Sequence, residues 1–164
     1  MRAKYPGAVV AFALFFNTLI ITAQSVTNNP DQIKLINNTS GTWITTVGKD
    51  TIEKWEHQHY GNGFIVYAYQ VAGKDSVPQH VNIFSYDPEN GKFKGFMLWK
   101  RGAFATWIGS FTDERTFHVD FVTDLVPEKA WGGFDMIFEN SDSRKHVHFI
   151  NGKKTREEIF TREK

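Results

Sequence analysis

At 164 residues, with 19 Lys and Arg against 18 Asp and Glu, the chain is long enough for one packed core and carries almost no net charge. No run of Lys and Arg marks a basic face, which argues against a nucleic-acid partner. The chain has no Cys, which excludes disulfides, thiolate chemistry, cysteine zinc sites and a lipoprotein anchor.

Arg2 and Lys4 precede an apolar run over 8–21, broken only by Asn17 and Thr18, and Thr22-Ala23-Gln24-Ser25 follows it. A short positive start, a short apolar run and small residues after it form the pattern of a secretory signal peptide. The leader is expected over 1–24, cut near Ala23 or Gln24. A retained anchor is the weaker reading, because the run falls short of the ~20 residues that a bilayer requires. The mature protein is then expected to be secreted or periplasmic, with no membrane contact once the leader is gone. Its charge balance would be 17 basic against 18 acidic residues.

Residues 25–40 read as a polar lead-in. Within it, 31–37 carries Ile33, Leu35 and Ile36 behind the start signals Pro30 and Asp31, enough for a helical turn or two that plugs one end of a barrel. From Gly41 onward the apolar period drops to two. Strands are expected over 42–47, 51–60, 64–72, 80–86, 92–100, 103–111, 115–123, 134–139, 145–150 and 155–162. Turn signals separate them, strongest in Asp87-Pro88-Glu89-Asn90-Gly91 and in Asn151-Gly152. A longer loop over 127–133 carries Trp131. About ten short, evenly spaced strands with no crossover-length insertion predict an all-β fold, an antiparallel meander barrel over 41–164.

Alternation then sorts the side chains. In 51–60, Trp55, His57 and His59 share one face and Lys54, Glu56 and Gln58 the other, so the first set is expected inside. Phe117, Val119 and Phe121 oppose His118 and Asp120, and Phe134, Met136 and Phe138 are likewise expected inside. His146 and His148 oppose Val147 and Phe149 and are expected on the exposed face. Aromatic residues form 15% of the chain, and large rings suit either a solid core or an aromatic cavity. The candidate ligand-binding set is Trp43, Trp55, His57, His59, Trp99, Trp107, Phe121 and Met136, around a small apolar or aromatic molecule.

Other constellations carry weaker signals. His57 with His59 and His146 with His148 are His-x-His pairs, a loose spacing for a metal. His118 and Asp120 could pair as base and orienting carboxylate. Glu53 shares the parity of Trp55 and His57, so a reaction centre of Glu53, His57 and His59, with or without metal, is the alternative to a binding protein. No Gly-x-Ser-x-Gly elbow or phosphate-cradling loop occurs, and no cofactor is implied. Trp131 could act as a lid or as a structural plug.

Gly41-Thr42-Trp43, behind a short helical turn, resembles the Gly-x-Trp opening of the lipocalin and wider calycin group. That resemblance implies a basic residue from the last strand packed across the Trp, for which Arg162 is the candidate and Arg156 the less well placed one. The chain is similar more closely to a family of uncharacterised bacterial secreted domains of lipocalin-like shape. This rests on Gly41-Thr42-Trp43, on Ser85-Tyr86-Asp87 with Gly91 and Lys92, and on Phe160-Thr161-Arg162-Glu163-Lys164. The related nitrobindins continue as Gly-x-Trp-x-Gly-x-Gly, whereas this chain reads Trp43-Ile44-Thr45-Thr46-Val47, so their haem binding is not carried over.

Overall fold

A computed structural model of the chain describes residues 30–61 and 63–164; the expected leader lies outside them. Among the described residues, one helix and ten strands form a closed antiparallel barrel in meander order. They are α1 (Gln32–Asn37), β1 (Gly41–Gly48), β2 (Thr51–Tyr60), β3 (Gly63–Ala72), β4 (Asp75–Asp87) and β5 (Lys92–Trp99). β6 (Phe104–Phe111), β7 (Thr116–Thr123), β8 (Val126–Phe138), β9 (Ser143–Ile150) and β10 (Lys153–Arg162) complete the set. Each strand pairs with its neighbours in sequence, and β10 closes on β1 through Trp43↔Arg162 and Ile44↔Thr161. This architecture is compatible with the calycin-like barrel that the Gly41-Thr42-Trp43 opening implies.

α1 begins where the sequence predicts. Asp31 caps it by accepting from the Lys34 amide at 3.0 Å, a contact of about 1 kcal/mol. Gln32 ties the helix to the barrel end, donating to the Phe111 carbonyl at 3.0 Å and accepting from its amide at 2.7 Å. Ile36, 2% exposed, enters the core. One barrel end is therefore plugged; the other, where the β1–β2, β3–β4, β5–β6, β7–β8 and β9–β10 turns lie, carries no helix among the described residues.

Two strand boundaries differ from expectation by more than two residues. β8 starts at Val126, so Trp131 lies in a strand and not in a loop. The connection shrinks to Asp124 and Leu125, whose φ values of 56° and 57° give the doubly left-handed turn that suits a two-residue hairpin. β4 starts at Asp75, ahead of the expected 80. Gln79 is looped out of its ladder, because Ala68 pairs with His80 and Tyr69 with Pro78. The remaining registers follow the alternation, with Phe93, Gly95 and Met97 buried and Phe96 and Leu98 each 41% exposed.

The plugged half of the barrel is solid. Trp43, Phe93 and Phe160 are fully buried, and Phe111, Phe117 and Trp107 interlock with them at ring separations of about 5–6 Å. Gly95 makes this possible: a Cβ there would stand 2.2 Å from the Trp107 ring, so the indole lies directly on its backbone. The Trp107 Nε1–H then reaches Asn82 Oδ1 at 2.8 Å, satisfying both buried polar groups.

Candidate functional site

Three layers divide the eight expected ligand residues. Trp43, Trp107 and Met136 are buried in the solid half and line no cavity at the open end. Arg162 crosses one face of Trp43, its Cζ 4.4 Å from the ring centroid, and donates to the Ser40, Asn38 and Ser141 carbonyls, as the Gly-x-Trp resemblance implies. Arg144 covers the opposite face at 4.2 Å. Trp43 is thus held between two guanidinium groups, each stacking contact worth about 1 kcal/mol or more out of water.

His57 lies below Trp55 on the same strand, against the plug, and is also enclosed. Arg144 Nη2 donates to its Nε2 at 3.2 Å, and Thr39 Oγ1 stands 3.4 Å from its Nδ1. The Thr39 hydroxyl already donates to the Ile36 carbonyl, so it accepts from His57 Nδ1–H, which fixes the neutral tautomer. Burial first, and then the neighbouring Arg144 charge, push the His57 pKa well down. His59 lies beyond the plugged end, exposed, with its Nε2 2.7 Å from Ser40 Oγ and its ring against Phe64. The expected grouping of Glu53, His57 and His59 therefore shares no cavity: the strand carries its three side chains past the mouth, through the core and out of the far end.

The remaining three, Trp55, Trp99 and Phe121, do converge. With Met97 and Phe134 they line a cavity of about 380 Å³ in the open half of the barrel, the size of a small-molecule site. Trp55 and Phe134 form its floor, and Trp131 stacks on Phe121 at the rim with 5.3 Å between centroids and 44% of its surface exposed. A larger depression, about 640 Å³, lies at the plugged end between α1 and the turns near 111–115 and 138–141. Its lining comes from the helix and the turns at the plugged end rather than from the barrel interior, so the ring-walled mouth is the better candidate.

Polar groups enter the mouth from four directions. Glu53 accepts from Trp55 Nε1–H, and burial raises its pKa against the pull of that hydrogen bond. His80 stands edge-on to Trp55 at 5.1 Å, its pKa lowered by burial to about 4. His148 Nε2 and Arg156 Nη2 meet at Glu158 Oε2, at 3.2 and 2.9 Å. Burial pushes the Glu158 pKa up, but the His148 hydrogen bond and the Arg156 charge together outweigh it and hold the carboxylate ionised. The site therefore combines a carboxylate acceptor, two imidazoles, a fixed guanidinium and five apolar walls.

His146 and His148 were expected outside and are inside. His146 is fully buried, stacked on Phe134 at 5.5 Å and against Phe160 at 4.4 Å. The expectation took Val147 and Phe149 for the inward pair, but the interior of this barrel accepts cationic and imidazole rings edge to edge with aromatics, so polarity did not mark the outer face. Arg144, at the same parity, was missed for the same reason. The usable signal was the fully inward Trp43 on the neighbouring side, which requires flat partners on both of its faces. His118 lies on the outer wall, with Nδ1 2.6 Å from Asp135 Oδ1 and Nε2 3.2 Å from Asp120 Oδ1. Partial burial lowers its pKa, and the two carboxylates more than reverse that. Among the described residues, no three His, Asp or Glu side chains are placed to hold a metal ion.

The chain matches no protein-family model and no curated protein, so a functional reading rests on the geometry of the mouth.

Proposed function

We propose that the protein is an exported binding protein for a small apolar or aromatic molecule, held in the open half of the barrel. The observation that carries this reading is the cavity of about 380 Å³ bounded by Trp55, Met97, Trp99, Phe121 and Phe134. Flat rings on several sides suit a planar or aliphatic body, with His80, His148 and Arg156 as hydrogen-bond donors to an acceptor group on it and Glu53 as an acceptor. Export rests on the leader pattern of 1–24.

Intrinsic tryptophan fluorescence reads the site directly, because Trp55 and Trp99 line it. Titration with naphthalene, 2-naphthoate and octanoate is expected to quench or shift the emission saturably, and Phe121→Ala is expected to weaken the response. Absence of any saturable change up to millimolar ligand would remove the binding reading. Export is tested separately, by fractionating cells that express the full chain and sequencing its N-terminus; a protein that stays in the cytoplasm and starts at Met1 would overturn it.

A further inference from the structure

The mouth cavity is not sealed on all sides by barrel wall. β5 ends at Trp99, where its last pairing with β4 is Trp99↔His80. The Lys100 amide donates to the Gln79 carbonyl at 2.8 Å. Beyond that hydrogen bond, residues 75–78 of β4 pair only with β3, while the chain turns away through 100–103 into β6. Pro78 has no amide hydrogen to offer a further strand, and the loop-out of Gln79 bends β4 at the same place. The wall is therefore notched between Pro78 and Lys100.

On the outer side of this notch lies an apolar groove of about 540 Å³, with Tyr67, Tyr69, Pro78 and Leu98 among its walls. Gln79, His80 and Trp99 line both this groove and the interior cavity. The groove runs on into exposed apolar surface, because Tyr67, Val81, Leu98 and Phe104 stand opposite one another across four neighbouring strands. Leu98 is 41% and Phe104 66% exposed, and the Phe104 ring stacks on Phe96 at 5.5 Å. A monomer rarely leaves a contiguous surface of this kind without a use for it.

We propose that the ligand is an amphiphile that occupies both spaces: a compact polar or aromatic head inside the mouth, and an aliphatic tail that leaves through the notch into the outer groove. The inference rests on the binding reading above and adds the ligand's shape and class. Continuity selects this occupant over a second copy of the chain, since three side chains belong to both spaces and a flat protein surface would not reach between them. The polarity also fits, because Glu53, His148 and Arg156 line the interior cavity alone, whereas the groove walls are mainly hydrocarbon and ring.

A series of 4-alkylbenzoates from methyl to decyl, titrated by tryptophan fluorescence, tests this. Each methylene buried in the groove is expected to tighten binding about two- to four-fold until the tail outruns the wall. Leu98→Asn, on the outer surface, is expected to weaken the decyl compound about ten-fold and to leave 4-methylbenzoate as it was. A flat series, with 4-methylbenzoate bound, overturns the two-space ligand and leaves the binding reading standing. A rising series that Leu98→Asn and Tyr67→Asn do not blunt overturns it too, because the tail is then inside the barrel. Failure of every member to bind removes both readings. Sedimentation of the free protein covers the remaining occupant: a dimer that Leu98→Asn converts to monomer assigns the groove to a second copy and overturns the proposal.

Discussion

The two halves of this barrel are built by one alternation rule and end in different states. At the plugged end, α1 brings Ile36 down into the core that holds Trp43, while Gly95 lets Trp107 lie across the interior, and rings fill the space. At the open end the inward positions hold Glu53, His80, Met97, Trp99 and Arg156, long or polar side chains that edge a space without filling it. Inward parity thus decides only which side chains face the axis. Their size, and whether a helix covers the end, decide whether the axis is core or cavity. The division predicts that substitutions in the plugged half are felt as stability and those in the open half as binding.

The sharpest break of that division is Trp43→Ala. It deletes a fully buried indole and strips both guanidinium groups of their stacking partner, leaving Arg144 buried with its Nε and Nη1 unpaired by protein. A loss of about 4 kcal/mol or more is expected in urea unfolding. Trp99→Ala, at the mouth and only partly buried, is expected to cost less than about 1.5 kcal/mol and to weaken ligand binding. Equal losses from the two would mean that the open half is core as well. Next in size is Gly95→Ala, whose new Cβ would stand 2.2 Å from the Trp107 ring. Overpacking there is expected to cost about 3 kcal/mol, and Gly152→Ala, strained by its φ of 72° but with open space around it, about 1 kcal/mol.

The acid side of the pH profile probes both halves together. His57, His80 and His146 are held neutral by burial, with pKa values below that of the unfolded chain. Between the folded and unfolded values the unfolded state binds more protons, so stability rises with pH and is lost as pH falls below about 6.5. For His80, with a folded value of about 4, the loss from pH 7 to pH 5 is about 2 kcal/mol. His57 and His146 act in the same direction. His80→Gln is expected to flatten the stability profile by one histidine's share while the protein stays folded; an unchanged slope would place His80 in water.

The fold was legible because its signals are local. Asp31 before an apolar helical turn, Asp87-Pro88 with Asn90-Gly91, and Asn151-Gly152 each specify a cap or turn through their own backbone preferences. Once ten strands close in meander order, the Trp43↔Arg162 contact follows from the antiparallel join. The candidate site was legible only in part. Trp55, Trp99 and Phe121 were found by parity, but parity does not report depth, so Trp43, Trp107 and Met136 could not be told from cavity walls. Arg144 was missed, and His146 was expected on the exposed face, because facing polarity is informative only when the inside is apolar. Here cations and imidazoles replace part of the hydrocarbon, and Val147 is 9% exposed although it points outward. The notch had only Pro78 as its sign, since the loop-out of Gln79 is set by its two neighbouring strands together.

The smallest effect expected is also the one that separates the halves most finely. Glu53 is the carboxyl group at the mouth whose pKa burial raises, with the Trp55 hydrogen bond pulling the other way. A raised folded pKa means that the native state holds its proton more tightly than the unfolded chain, so this group stabilises at low pH and its contribution fades as pH rises through the folded value. At neutral pH the ionised carboxylate is slightly unfavourable where it stands. Glu53→Gln keeps an acceptor for Trp55 Nε1–H and removes the charge, so a gain of a few tenths of a kcal/mol is expected at pH 7 and none at pH 4. The same variant is expected to change the pH dependence of ligand binding, because Glu53 edges the cavity. A loss of stability at pH 7 would show that Glu53 works as a counter-charge to Arg156 and His148, and that the mouth is held together electrostatically, in contrast to the rings below it.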